Sequence, residues 1–191
     1  MAAGGTTTNV QLGPGRLYLA PIGTTEPVSA SAALPSAWLA VGYTEDGTTF
    51  TVSLTNEEIE VAEEIDAILT VNTKRTSELK LNLAEFTKRN YAAALGSGLL
   101  TNDAVAYEPP VPGTEQKIMI VWDSNEDPTV AQGSPAQGNR RWVFRQCNPT
   151  GDLEIHRQKA PNKALIPVTF KVEKPSGLQP FKVFPNSNGL I

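Results

Sequence analysis

The sequence predicts a mainly β fold, a sandwich or barrel of two packed antiparallel sheets with one flanking α-helix and one long inter-strand loop. Three observations carry this. Apolar side chains recur at period two in short segments, as in Phe50, Val52 and Leu54 or Val168, Phe170 and Val172, the spacing that turns one strand face to a core. Fifteen prolines and fifteen glycines punctuate the chain, and that much proline favours turns over long helices. Only residues 84–95 switch to helical spacing, with Phe86, Tyr91, Ala94 and Leu95 on one side and Gly96 placed to stop the helix.

In chain order, residues 1–9 carry almost no core-forming side chain and are expected to be a flexible arm. Residues 16–22 form an apolar strand closed by Pro21 and Gly23, and 24–36 read as a loop rich in Ser, Thr, Ala and Pro. A second strand over 38–43 leads into a Glu45-Asp46-Gly47 turn and a half-buried strand over 48–54. Residues 55–73 are expected to form the extended loop, because six carboxylates between 56 and 66 repel one another in compact packing. Residues 68–83 return to strand character, with Leu79, Leu81 and Leu83 alternating with Lys80 and Asn82. After the helix come a proline-rich connection over 101–114 and two strands, 117–122 and 140–147, joined by a long polar hairpin loop. Further strands are expected over 151–156, 163–173 and 181–184, with Pro167 marking an edge or a bulge and 175–191 a tail. The reading is one domain over 1–191 with eight to ten strands.

The residues that catalytic chemistry requires are scarce. With one histidine, His156, and one cysteine, Cys147, the chain offers neither a multi-histidine nor a cysteine zinc site. Cys147 lies nine positions from His156, yet a cysteine in a strand is more often a small buried hydrophobe than a nucleophile. Gly13-Pro14-Gly15 is a turn, since proline lacks the N–H that a phosphate loop uses. Asp123, Asn125 and Asp127 mimic a calcium loop, but Pro128 replaces the glycine and Ser134 the bidentate glutamate. No enzyme activity, cofactor or metal is expected. The longest apolar runs, such as residues 118–122, are far short of the roughly 20 that cross a bilayer, so no membrane partner is expected. The polar N-terminus does not read as a secretory signal, which places synthesis in a cytoplasm.

Charge is divided along the chain. Residues 17–73 hold nine acidic side chains and no Lys or Arg, whereas 139–191 hold nine basic and three acidic ones. Glu57, Glu58, Glu60, Glu63, Glu64 and Asp66 are candidates for an acidic lumen or inter-subunit contact. Arg140, Arg141, Arg145, Arg157, Lys159 and Lys163 are candidates for the complementary basic interface. Opposite potentials can pair within one fold or between copies, and the sequence leaves both open.

Residues 12–27 (LGPGRLYLAPIGTTEP), 38–51 (WLAVGYTEDGTTFT), 61–68 (VAEEIDAI) and 81–96 (LNLAEFTKRNYAAALG) resemble the major tail tube proteins of siphophages that infect actinobacteria. That resemblance implies two packed sheets flanked by a helix, six subunits closing into a ring, and rings stacking into a hollow tube through which double-stranded DNA passes without specific binding. It places the protein in the virion tail, assembled in the host cytoplasm, with further copies of itself, a tape measure protein and terminator or baseplate proteins as partners. The family's loop between early strands, which reaches the adjacent ring, matches residues 55–73. The other readings are a related tube-type or tail-completion protein and a monomeric β-sandwich module binding a ligand such as carbohydrate on Trp38, Trp122 or Trp142.

Overall fold

The computed structural model describes residues 15–30, 32–60, 66–98, 107–124, 140–155 and 164–184. The expected arm over 1–9, all but the first two residues of the hairpin loop expected over 123–139, His156 and the chain beyond Phe184 lie outside them. The described residues form eight strands and one helix: β1 (Gly15–Pro21), β2 (Leu39–Ala40), β3 (Thr44–Ile59), β4 (Leu69–Leu83), α1 (Lys88–Ala94), β5 (Ile118–Ser124), β6 (Arg140–Thr150), β7 (Ile166–Val172) and β8 (Phe181–Phe184). The mainly β fold with a single helix is as expected. Every pairing is antiparallel, in the order β2-β1-β5-β6-β7-β4-β3, with β8 also on β6.

The ladder divides at β6, and the cause is a bulge. Ile118 pairs with Cys147 but Ile120 with Phe144, so Arg145 and Gln146 together oppose one residue of β5. Such a bulge bends its strand. Before it, residues 141–144 pair with β8; after it, residues 147–150 pair with β7. The Arg145 N–H donates to the Pro180 carbonyl and the Gln146 carbonyl accepts from the Glu173 N–H, so the bulge satisfies both diverging branches. It also lets Phe144 and Cys147, three apart, enter the same core.

Between the two branches lies that main core: Leu17 and Leu19 of β1, Ile118 and Ile120 of β5, Leu79, Leu81 and Leu83 of β4, and Ile166, Val168 and Phe170 of β7. A smaller cluster of Ala20, Trp38, Met119, Val121 and Val143 occupies the other face of β1, β5 and β6. These three strands are therefore covered on both faces, which accounts for the unbroken apolar run 118–122.

The cover on the second face is held by a buried cation. Arg141, 5% exposed, forms a bidentate ion pair with Asp123 (2.5 and 2.8 Å) and donates to the Ser29 and Ala32 carbonyls. The Trp38 indole N–H donates to the Thr25 carbonyl from the same segment.

The helix is shorter than the expected 84–95. Thr87 is its N-cap, accepting from the Asn90 N–H, and Gly96, at φ +79°, takes the left-handed conformation expected of the stop. Inside it, the buried Asn90 amide donates to the Val41 and Glu85 carbonyls, tying the helix to the β2–β3 link. The expected Glu45-Asp46-Gly47 turn is a bulge within β3: Glu45 pairs with Asn82 and Thr49 with Lys80, and Gly47 has φ +74°. Pro167 sits within β7 opposite Asn82, where the β6 ladder has already ended at Thr169, so its missing N–H interrupts no described pairing.

Candidate assembly surface: the β3–β4 ribbon

β3 and β4 are sixteen and fifteen residues long, but β7 pairs with β4 only from Glu78 to Leu83. Beyond that point residues 52–59 and 69–77 continue as a ribbon of two strands alone, about 25 Å long at a strand's rise per residue. Threonines at 51, 55, 70, 73 and 76 supply the β-branched side chains that favour an extended backbone. The segment expected as an extended loop, 55–73, is thus paired for most of its length, with Glu57 opposite Val71, Glu58 opposite Thr70 and Ile59 opposite Leu69.

The ribbon is the least covered part of the described chain. Every described residue from 51 to 60 and from 66 to 75 is exposed. Among them are large apolar side chains: Leu54 is 56% exposed, Leu69 54%, Ile59 45%, and Val52 and Val71 about 40%. Single exposed hydrophobics are ordinary, but these are gathered on two strands that gain little stability by themselves.

Both carboxylates and cations sort along it. Glu57, Glu58, Glu60 and Asp66 are exposed toward its far end; Glu63 and Glu64 lie outside the described residues. Midway along it are Lys74, opposite Thr55, and Arg75, opposite Leu54, and on the outer face of the sheet beyond its root Lys80, opposite Thr49, and Lys171, opposite Glu78. Arg75 donates to the Gln179 side chain at 3.5 Å. The acidic stretch ends at Thr73 in the sequence, but the cations that follow it were not singled out there, because the complementary basic surface was sought among residues 140–163.

The expected basic interface is dispersed. Arg141 is committed to Asp123 and Arg145 to Glu26, at 2.5 and 3.1 Å with a third bond to the Gln179 carbonyl, so two of the six cations pair within the chain. Arg140 stands opposite Ser124 at the start of β6. Arg157, Lys159 and Lys163 lie outside the described residues.

Elsewhere the tryptophans pack within the body. Trp38 is buried, while Trp122 and Trp142 stack at 6.3 Å and join Phe50, Phe144 and Phe181 against the main core. No described tryptophan forms a flat exposed platform for a sugar. Cys147 is fully buried, and burial, with Glu173 nearby, raises its thiol pKa well above the ordinary value, opposite to what a thiolate nucleophile needs. Among the described residues no three metal-ligating side chains converge.

The described chain is thus a β body whose tryptophans and cysteine pack inward, carrying a long uncovered ribbon. The family model for phage tail tube proteins matches residues 4–174, and the chain belongs to that family. A search of curated proteins finds no match. The family is structural, a component of the virion tail whose members build a tube, and is not a family of enzymes.

Proposed function

We propose that the chain is the repeating subunit of a siphophage tail tube, of the kind found in phages of actinobacteria. Six copies close into a ring, rings stack, and the hollow tube conducts double-stranded DNA from the virion into the host. The observation that carries this is the β3–β4 ribbon, whose exposed apolar side chains no described part of the same chain covers. In a stacked tube the ribbon reaches the adjacent ring. Ring closure engages the sheet margins, above all the sixteen-residue edge of β3, whose unpaired N–H and C=O groups invite uncontrolled pairing in a lone subunit.

The acidic residues Glu57, Glu58, Glu60, Glu63, Glu64 and Asp66 serve the lumen or the inter-ring contact. A conduit must not hold duplex DNA, which carries a negative charge about every 1.7 Å, so an acidic wall suits passage and a basic one would retain the genome. Arg157, Lys159 and Lys163 remain the candidates for a complementary interface. Assembly takes place in the host cytoplasm around a tape measure protein, between baseplate and terminator proteins.

Negative-stain electron microscopy and light scattering on the purified protein over a range of concentrations test this. Six-fold rings or hollow tubes are the expected result. A monodisperse 20.5 kDa monomer at every concentration would overturn self-assembly of the chain alone.

A further inference from the structure

The apolar side chains of the ribbon do not lie on one face. Phe50, Val52 and Leu54 share the core-facing side with their partners Leu79, Ser77 and Arg75. Continued alternation along β4 would put Val71 and Leu69 on that side as well. A bulge prevents it: Thr55 pairs with Lys74 and Asn56 with Asn72, leaving Thr73 as the extra residue, its hydroxyl donating to the Thr55 carbonyl. Beyond the bulge Leu69 and Val71 stand with Ile59 and Glu57 on the outer side, and Asn56, Glu58, Asn72 and Thr70 occupy the core-facing side. The proximal half is therefore apolar on one face and the distal half on the other.

We infer that the ribbon is clasped from both sides by copies of this chain: the proximal half buries Val52 and Leu54 on its core-facing side, and the distal half buries Ile59, Leu69 and Val71 on the opposite one. A ribbon resting on a single surface would cover one set and leave the other in water. Charge identifies the occupant as the body of another copy and not its ribbon. The far end carries Glu57, Glu58, Glu60 and Asp66 with no Lys or Arg before Lys74, so two far ends repel, whereas the outer face of the body presents Lys80 and Lys171. The contact runs head to tail, from the acidic end of one copy to the Lys80 and Lys171 face of another.

This rests on the tube reading, and substitutions at exposed positions separate the two. Leu54→Ser and Val71→Ser, on opposite faces, should each raise the protein concentration needed for tube formation by about tenfold or more, with the unfolding of the dissociated subunit unchanged. One residue inserted between Thr55 and Asn56 gives Thr73 a partner, keeps the Ile59–Leu69 pairing, and turns the distal set to the core-facing side; it should abolish tubes. If either serine variant, or the insertion, assembles like the parent protein, the two-sided clasp is overturned while the tube reading stands. Failure of the parent protein to assemble overturns both.

Discussion

Strand β5 and the distal half of β3 are both extended, both antiparallel and both paired, yet one is the most buried strand of the protein and the other among the most exposed. In β5, Ile118 to Val121 are all apolar, and successive side chains enter two different cores. In distal β3 the order Leu54, Thr55, Asn56, Glu57, Glu58, Ile59 leaves no face wholly apolar, so burial within one chain would take a carboxylate into the interior at several kcal/mol. Strand geometry is common to both; side-chain content decides whether a segment is core or is held out for another molecule. In the proposed assembly the body makes the subunit stable and the ribbon makes it associate.

The sharpest way to break that division is to make the same kind of cut in each part. Phe144→Ala removes a wholly buried ring that meets Phe50 at 4.9 Å and packs in the main core, and should cost about 3–5 kcal/mol in urea unfolding of the dissociated subunit. Leu54→Ala should cost no more than about 0.5 kcal/mol in the same assay. Similar costs would mean that the ribbon is part of the folding core.

Next in size is Arg141. Its removal leaves Asp123, with a side chain 25% exposed, without its bidentate partner, and the Ser29 and Ala32 carbonyls without their donor. Arg141→Ala should cost about 3 kcal/mol and release the segment before Trp38 to limited proteolysis. Lost stability with the segment still protected would show that the Trp38 cluster alone holds it down.

How much of this could be read from sequence follows from the range of the interactions. The fold class, the main strands and the helix stop at Gly96 were legible because period, punctuation and capping are local. The ribbon was misjudged because six acidic residues were weighed as mutual repulsion in a loop. Across the ladder, however, Glu57 faces Val71 and Glu58 faces Thr70, so pairing sets no carboxylate opposite another there. The Thr73 bulge has no composition signal, and without it Leu69 and Val71 are assigned to the wrong face. Arg141 and Arg145 were taken as interface candidates because their partners lie 18 and 119 residues away, and only the fold shows that these cations pair within the chain.

The smallest effect concerns the bulge at which the sheet divides. Glu173 accepts from Lys117 at 2.6 Å and from Gln146 at 3.1 Å, and the bond from Lys117, more than any other influence, holds its carboxyl below the ordinary value of 4.5. Both side chains of the ion pair are about a third exposed, so solvent screens it to under about 1 kcal/mol. Because the folded-state value is the depressed one, the contribution is complete above pH 4.5 and is lost as the pH falls through the folded value. The stability lost in Glu173→Gln should therefore be small at neutral pH and vanish once the pH falls below the depressed folded value, followed by urea midpoints of the dissociated subunit from neutral pH into acid. A deficit that persisted in acid would mean that Glu173 acts through the shape of the bulge and its bond to Gln146 more than through charge, making the fork in the sheet a matter of packing, as the cores on either side of it already are.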